Sequence, residues 1–254
     1  MKSTTLLALA MAITSTSAYW KGFNLAATNK NNQCKSQADW EQDFHLMAKL
    51  PGHFNSARLY ASSDCNTLAN AVPAAVKTGT KLLVGVWAED DTHFEAEKQA
   101  LLEAIQQHGH DWIVAVSVGS EDLYRGDTTA SKLATQIYDV RGMIGSLGAG
   151  HKKVGHVDTW TAWVDGANAA VIEAVDFLGM DGYPYFQNVS IHNGHAKNAF
   201  WESMHATRAV AQGKKVWLTE TGWPVSGSDM GPAVPSVKNA HTYWKEVACQ
   251  LFKE

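Results

Sequence analysis

The chain has 254 residues, of which 45% are hydrophobic and 18% are charged, and its formal net charge is −4. These values are typical of a globular protein with enough apolar residues for one substantial core. The small negative charge provides no basic surface for nucleic acid or for an anionic membrane. The chain contains 10 tryptophans, which is many for its length and suits stacking on sugars, although several must lie in the core.

The first 18 residues have the features of a secretory signal peptide. Lys2 supplies a positive start, Leu6–Ile13 form a short apolar segment, and Thr16–Ala18 form a small-residue cleavage site. The apolar segment is too short to span a bilayer. The sequence therefore predicts a secreted protein, a monomer, whose single barrel domain covers residues 19–254.

Strand and helix patterns alternate along the rest of the chain. Strands are predicted at Tyr19–Ala26, Ser56–Ala61, Lys81–Trp87, Trp112–Val118, Lys153–Trp160, Asp176–Tyr183 and from Lys215 onward. Helices are predicted from Ser36 to about Leu50, from Asn66 to Lys77, from an acidic cap at Glu89–Asp91 to His108, from Thr128 to Leu147, from Asn168 to Val175, from Asn198 to Gln212 and from Ser236 to about Phe252. Seven such units predict an α/β fold with parallel strands inside and helices outside. Right-handed crossovers would curl the sheet into a (β/α)8 TIM barrel.

Two of the predicted strands lead to a glutamate. The apolar run Trp112–Val118 is followed closely by Glu121, and the run Val216–Leu218 is followed closely by Glu220. Both residues fall at the C-terminal ends of strands, where barrel enzymes carry their chemistry. Cleavage of a glycosidic bond needs two carboxyl groups, one to protonate the leaving oxygen and one to attack the anomeric carbon or activate water. The pair therefore predicts a sugar-cleaving site.

Long motifs surround these glutamates and recur at other strand ends: RLYASSDCNTL (Arg58–Leu68), VSVGSEDLYR (Val116–Arg125), GHVDTWTAWV (Gly155–Val164), GMDGYPYFQN (Gly179–Asn188) and VWLTETGWP (Val216–Pro224). Together they closely resemble glycoside hydrolase family 17 in its fungal cell-wall branch. The resemblance extends from about Trp20 to the end of the chain. That family comprises β-1,3-glucan hydrolases and β-1,3-glucanosyltransferases on a (β/α)8 barrel. It implies β-1,3-glucan as the substrate and neither a metal nor an organic cofactor.

The resemblance implies a role for each glutamate. Glu220 is expected to be the nucleophile of a retaining double displacement, and Glu121 is expected to be its acid and base. Two carboxylates close together should raise the pKa of Glu121, because their negative charges repel each other. Arg58 and Tyr60 are expected to line the site from the end of the second strand.

Other strand ends supply candidate sugar-binding residues. Asp158 and Trp160 lie at the end of the predicted fifth strand, where an acid can accept sugar hydroxyls and a ring can pack on the apolar sugar face. Trp223 is expected to pack on the sugar beside the nucleophile. Either Tyr183 or Tyr185 is expected to hydrogen-bond the nucleophile or a ring hydroxyl, and the sequence does not choose between them.

Two features depart from the expected pattern. Ser120 precedes the acid, where many related barrel glycosidases place an asparagine that contacts the sugar, so this contact is expected to differ. The sequence also shows seven strand–helix units, whereas the family has an eighth strand that closes the barrel. An open barrel leaves two strand edges unpaired. The alternative interpretation is therefore a secreted glucan-binding or structural wall protein with a disabled barrel.

Three cysteines and one glycosylation sequon fit a secreted chain. Cys34 and Cys65 follow the first and second strands on the same face of the predicted barrel, so we expect them to form a disulfide. Cys249 lies near the end of the last helix, toward the other face, and is expected to be unpaired or paired outside this chain. Asn188, in the sequence Asn-Val-Ser, is the expected glycosylation site.

Overall fold

A computed structural model describes residues 20–251 of the chain. The predicted signal peptide lies outside the described residues. Within them, no helix has both the length and the apolar character needed to cross a membrane.

Seven strands form one parallel sheet in the order of the chain. They are β1 (Gly22–Asn24), β2 (Ser56–Arg58), β3 (Lys81–Val86), β4 (Ile113–Ser120), β5 (Lys153–Thr159), β6 (Phe177–Gly182) and β7 (Lys215–Thr221). Each strand pairs with its sequence neighbour through a parallel ladder. The predicted barrel fold is thus confirmed, with seven strands in a nearly closed ring. The first strand is shorter than predicted because its ladder with β2 holds only three residue pairs.

Helices connect the strands on the outside of the sheet. They are α1 (Gln37–Lys49), α2 (Thr67–Thr78), α3 (Asp91–His108), α4 (Asp122–Arg125), α5 (Ala130–Ile144), α6 (Trp160–Val164), α7 (Ala169–Ala174), α8 (His195–Val210), α9 (Val237–Tyr243) and α10 (Cys249–Leu251). The side chains of Ser36, Asp90 and Ser236 cap α1, α3 and α9 as the sequence predicts. The short helices α4 and α6 were not predicted. Each is about one turn long and follows the C-terminal end of a strand, β4 or β5. Such a short helix contains too few residues to show the periodic spacing of apolar residues that predicts a helix.

The core has two layers, because alternate residues of each strand point to opposite faces. Leu82, Val84 and Val86 of β3 face the helices and belong to the large outer cluster of buried side chains. Leu83 lies between them in the chain and faces the barrel interior, where it groups with Ala115 and Phe177. The interior is closed at this level by the ring of Trp217, which stacks on Phe177 with their centroids 4.1 Å apart.

Side chains, rather than a backbone ladder, link the first and last strands of the described chain. The side-chain amide of Asn24 on β1 donates to the carbonyl oxygen of Thr219 on β7, at 3.0 Å. Below it, the ring of Phe23 stacks on the ring of Trp244, which follows α9, with an interplanar angle of 3°. The hydrogen bond holds β1 against β7 immediately before Glu220, and the ring contact holds β1 against the segment after α9.

We expect Asn24→Ala to lower the free energy of unfolding by about 1 kcal/mol, the usual net value of one hydrogen bond. The melting temperature should fall by about 3 °C for a chain of this size. Asn31→Ala is the matched control, because Asn31 also makes a side-chain hydrogen bond, to Gln33, but at an exposed position. Thermal denaturation followed by circular dichroism measures both. Equal melting temperatures for the two variants would contradict a role of Asn24 in joining β1 to β7.

Candidate active site

The C-terminal ends of four strands place their side chains around one cleft. Arg58 ends β2, Ser120 ends β4 just before Glu121, and Asp181 and Glu220 lie near the ends of β6 and β7. The ladders β4–β5 and β6–β7 both change register near these residues. Such irregularities locally increase the twist of a strand and re-aim its side chains. The barrel thereby directs carboxyl groups from non-adjacent strands toward one another.

Two donors fix the carboxylate of Glu220. The guanidinium of Arg58 forms an ion pair with Glu220 Oε1 through Nη1. The hydroxyl of Tyr183 donates to Glu220 Oε2 at 2.8 Å. The Arg58 side chain is 5% exposed and the Glu220 side chain is 13% exposed, so the pair is shielded from water and held in one orientation.

Arg58 connects the two halves of the cleft. Its Nη2 donates to Ser120 Oγ at 3.0 Å, directly before Glu121 in the chain. Its guanidinium also lies over the ring of Tyr60, 4.6 Å from the centroid. Burial, followed by the charge of Glu220, raises the pKa of Tyr60 to about 12. Arg58 and Tyr60 therefore lie where the sequence predicted, and the phenol stays protonated at neutral pH.

The structure distinguishes the two tyrosines that the sequence left open. Tyr183 contacts the Glu220 carboxylate, and burial followed by the negative charge of Glu220 raises its pKa. Its hydroxyl therefore remains a donor. Tyr185 is 7% exposed, donates its hydroxyl to the backbone oxygen of Ser228 and packs edge-on against Trp223. Tyr183 belongs to the site, whereas Tyr185 supports the loop behind it.

Glu121 lies in a turn with unusual backbone geometry. Its φ is 59°, in the left-handed region, which costs a residue with a side chain about 1 kcal/mol. The side chain is 27% exposed, and Arg125 Nη1 lies 3.5 Å from its carboxylate. Burial raises the pKa of Glu121, and the charges of Glu220 and Asp158 raise it further. A carboxyl that retains its proton above the ordinary range can act as an acid.

Three predicted sugar-binding residues do not lie at the cleft surface. Asp158 has no exposed surface and accepts hydrogen bonds from the backbone of Leu123 and Thr159. Trp223 is 7% exposed and donates its indole N–H to the backbone oxygen of Val234. Ser120 is also buried, and its hydroxyl accepts from Arg58, as described above. A side chain without exposed surface does not reach a sugar, so the predicted contact between Asp158 and the substrate is wrong. The burial of Ser120 and Trp223 does not match the predicted contact of these two residues with the substrate.

Trp160 is half-buried. It begins α6 instead of ending β5, and its ring packs against the second cluster of buried side chains, which lies between β6, β7 and α8. Part of the ring remains accessible beside the cleft. The prediction that this ring packs on a sugar stays a prediction.

Two residues beside the Glu220 carboxylate and Tyr183 were not predicted from the sequence. Asp181 on β6 is 2% exposed, and its Oδ1 accepts from the hydroxyl of Thr219, at 2.7 Å. Burial and the charge of Glu220 raise the pKa of Asp181 well above its ordinary range. Phe186 is 64% exposed and stands edge-on to Tyr183, with centroids 5.9 Å apart. A lone carboxyl inside the apolar run of β6 was the available signal for Asp181, whereas nothing in the sequence indicates the exposure of Phe186.

The cysteines and the sequon lie outside the barrel strands. Cys34 and Cys65 form a disulfide that joins the loops after β1 and β2. Cys249 is unpaired within residues 20–251. Asn188 follows the loop after β6 and is exposed, so its glycosylation stays a prediction.

One cluster of ionisable side chains resembles a set of metal ligands. Asp64, His93 and Glu97 bring three ligand atoms within 4.8 Å of one another. Glu97 is fully buried, and its two oxygens accept from the backbone amides of Ser62, Ser63 and Trp87. Through these hydrogen bonds the Glu97 carboxylate joins the loop after β2 to the loop after β3, and this structural role explains its burial.

We expect Glu121→Gln to increase the free energy of unfolding at neutral pH. The folded state raises the pKa of Glu121 above its ordinary value of 4.5, so above that pH the folded chain binds more protons than the unfolded chain. The contribution of Glu121 to stability therefore falls as the pH rises, and the variant removes this loss. The advantage of the variant should vanish below pH 4. Denaturant unfolding at several pH values measures the difference.

Glu41→Gln is the control of opposite sign. Hydrogen bonds from Lys77 and Gln37 lower the pKa of Glu41, so its carboxylate adds stability above its ordinary pKa, and its loss does not stabilise the fold. Equal responses of the two variants to pH would contradict the raised pKa of Glu121.

The sequence of this chain matches a family of glycoside hydrolases and several of their relatives. Residues 22–254 match the family described as the BtgE/BtgC glycoside hydrolase domain. A probable glucan endo-1,3-beta-glucosidase (eglC) of Aspergillus oryzae is 45% identical, over 100% of this chain and 59% of that protein. A glucan 1,3-beta-glucosidase of Saccharomyces cerevisiae is 38% identical, over 90% of this chain and 75% of that protein. The chain thus spans less than two thirds of the length of the Aspergillus relative.

Solved structures show the same fold. An active-site mutant of the β-1,3-glucanosyltransferase of Rhizomucor miehei, in complex with laminaritriose, has a TM-score of 0.81 and 28% identity, and covers 92% of this chain and 83% of that chain. A crystal structure of a glycoside hydrolase family 17 β-1,3-glucanosyltransferase from the same organism has a TM-score of 0.80 and 29% identity, with the same coverage. The chain therefore belongs to the BtgE/BtgC glycoside hydrolase family, which is of the family 17 type.

Proposed function

We propose that this chain cleaves β-1,3-glucan of the cell wall with retention of configuration, as an endo-β-1,3-glucanase that also transfers glucan. The observation that carries the proposal is the carboxyl pair at the ends of β4 and β7. Arg58 and Tyr183 hold Glu220 as an oriented carboxylate. Arg58 contacts both Glu220 and Ser120, the residue before Glu121, so the two carboxyl groups flank one guanidinium and can divide the roles of nucleophile and acid.

In the first step, a carboxylate oxygen of Glu220 attacks the anomeric carbon and the glycosidic C–O bond breaks. The electron pair of that bond goes to the leaving oxygen, which takes the proton of Glu121. The product is a glycosyl ester on Glu220. Arg58 and Tyr183 orient the attacking oxygen. Their hydrogen bonds to Glu220 can adjust as the carboxylate loses its negative charge on forming the ester.

In the second step, an acceptor hydroxyl attacks the same carbon and gives its proton to Glu121, which is now a carboxylate. The ester bond breaks and Glu220 is released. Water as the acceptor gives hydrolysis, and a second glucan gives transfer. The half-buried ring of Trp160 and the exposed ring of Phe186 offer apolar surface for an acceptor sugar beside the cleft.

A secreted site of action supports this substrate. The disulfide Cys34–Cys65 and the exposed sequon at Asn188 suit an oxidising, glycosylating pathway. The signal-peptide pattern at residues 1–18 would direct the chain there. We propose that it acts as a monomer on wall glucan and needs no cofactor.

We expect Glu220→Gln to reduce turnover of a β-1,3-gluco-oligosaccharide at least about a thousandfold, because an amide does not replace the carboxylate nucleophile. Glu202→Gln, on the exposed face of α8, is the matched control and should leave turnover unchanged. Mass analysis of the products measures turnover. A loss of only a few-fold in Glu220→Gln would refute the assignment of the nucleophile.

The same products report the type of reaction. Products longer than the substrate indicate transfer, and only shorter products indicate hydrolysis. Binding of the oligosaccharide without any product would refute the proposed activity. That result would favour the second candidate, a glucan-binding wall protein.

We expect Tyr183→Phe to lower kcat by about tenfold to a hundredfold, the range for loss of one hydrogen bond to a charged group. Tyr185→Phe is the comparison, because its hydroxyl donates to a backbone oxygen away from Glu220, and kcat should change less than about threefold. Steady-state kinetics on one oligosaccharide measures both variants. A larger loss for Tyr185→Phe would reverse the choice between the two tyrosines.

A further inference from the structure

Three fully buried ionisable side chains lie beneath the turn that carries Glu121. Asp122, His156 and Asp158 each have no exposed surface. Asp122 directly follows Glu121, and the other two lie on the neighbouring strand β5. None of them takes part in the two chemical steps described above. Buried charges are costly unless they are paired and hydrogen-bonded, so this cluster requires an explanation.

The hydrogen bonds of His156 indicate its protonation state. Nδ1 lies 2.7 Å from the carbonyl oxygen of Val118, which can only accept, so Nδ1 carries a proton. Nε2 lies 3.0 Å from Asp158 Oδ2. Both oxygens of Asp158 already accept from backbone N–H groups, as expected of a carboxylate. The proton between the two side chains therefore resides on Nε2, and the ring is an imidazolium.

The electrostatic surroundings agree with this protonation state. Burial acts to lower the pKa of His156. The hydrogen bond and charge of Asp158, together with the charge of Asp122, outweigh burial and raise that pKa. A buried cation thus lies between two carboxyl groups under the turn.

The same carboxyl groups hold the backbone of the turn. Asp122 Oδ2 accepts from the N–H of Ser120 at 2.6 Å, and Asp158 Oδ2 accepts from the N–H of Leu123 at 3.0 Å. Between them, the N–H of Glu121 donates to the carbonyl oxygen of Val157 on β5, at 2.8 Å. The backbone N–H groups of Ser120, Glu121 and Leu123 are therefore all held by hydrogen bonds to Asp122 or to β5.

The packing under the turn leaves no room for adjustment. Gly119 has a φ of 73°, and a Cβ atom placed on it would lie 2.2 Å from Asp122 Oδ2 and 3.3 Å from His156 Cε1. Glu121, two residues later, also has a positive φ. Glycine adopts a positive φ readily, but Glu121 does not, so the contacts of the cluster with the turn help to impose the conformation at Glu121.

We propose that the buried ion pair of His156 and Asp158, together with Asp122, is a positioning device that holds Glu121 in its left-handed backbone conformation and aims its carboxyl group at the leaving oxygen. The inference rests on the proposed function for the role of Glu121. His156, Asp158 and Asp122 are positioning residues, since they do not touch the substrate.

The kinetic test compares two substrates that differ in their need for an acid. A β-1,3-gluco-oligosaccharide has a poor leaving group that needs the proton of Glu121. The second substrate is the 2,4-dinitrophenyl β-glycoside of the β-1,3-linked glucose disaccharide, from which 2,4-dinitrophenolate departs without that proton. We expect His156→Gln and Asp158→Asn to lower kcat/KM on the oligosaccharide by about a hundredfold, the effect of a misplacement of about 1 Å. On the activated glycoside the loss should stay below about threefold.

Two further variants separate positioning from folding. The double variant His156→Gln/Asp158→Asn removes both members of the ion pair, leaves Asp122 as the remaining ionisable side chain of the cluster, and should regain part of the activity lost in each single variant. Asp176→Asn is the matched control at the opposite end of β5, where Asp176 accepts from the N–H of Val154, and its ratio of kcat/KM on the two substrates should equal that of the wild type. Equal losses on both substrates in the single variants, or no loss at all, would overturn the proposal.

A measurement independent of activity tests the same cluster. In protein carrying ¹⁵N-labelled histidine, NMR at neutral pH should show both ring nitrogens of His156 protonated, with the signal assigned by its absence in His156→Gln. A neutral ring would overturn the proposal whether or not the chain cleaves glucan. A wild-type chain that shows the imidazolium but cleaves neither substrate would instead refute the proposed function.

Discussion

The ion pair between Arg58 and Glu220 is the interaction on which the site depends. It joins β2 to β7, two strands that do not pair with each other in the sheet, across the C-terminal mouth of the barrel. The same guanidinium reaches Ser120 beside Glu121. Because both partners are largely buried, the interaction is strong only while the surrounding strands keep their positions. The positions of the two proposed catalytic carboxyl groups are therefore linked through one arginine.

Several layers of packing protect this linkage. The side chain of Asn24 holds β1 against β7, and the stacked rings of Phe23 and Trp244 hold β1 against the segment after α9. Beneath Glu121, the fully buried His156 and Asp158 fix the turn from β5. The carboxylate of Glu220 is thus oriented mainly by direct donors, whereas Glu121 is oriented through its backbone. This difference follows from chain geometry, since Glu220 lies within a strand and Glu121 lies in the turn beyond one.

The order of strands and helices was predictable because long apolar runs and helix caps are local features of the sequence. The placement of Glu121 and Glu220 at the same end of the barrel was predictable for a related reason, because the C-terminal ends of parallel strands meet at one edge whatever the conformation of the loops. Residues just beyond the strand ends were not, because their direction depends on turns such as α4 and α6 and on register shifts in the ladders. Within a strand the same difficulty arises at Asp158. It lies near the C-terminal end of β5, as predicted, but its side chain is buried beneath the turn that carries Glu121. The choice of Tyr183 over Tyr185 likewise required knowledge of where the loop after β6 folds.

Trapping of the covalent intermediate tests the central claim most directly. The chain would be incubated with a 2-deoxy-2-fluoro β-1,3-glucobiosyl fluoride, whose leaving group departs readily and whose glycosyl ester is hydrolysed slowly. Peptide mapping by mass spectrometry should then locate one adduct, on Glu220. An adduct on another carboxylate, or cleavage of glucan by a chain that never forms an adduct, would contradict the assignment of Glu220 as the nucleophile that Arg58 and Tyr183 hold.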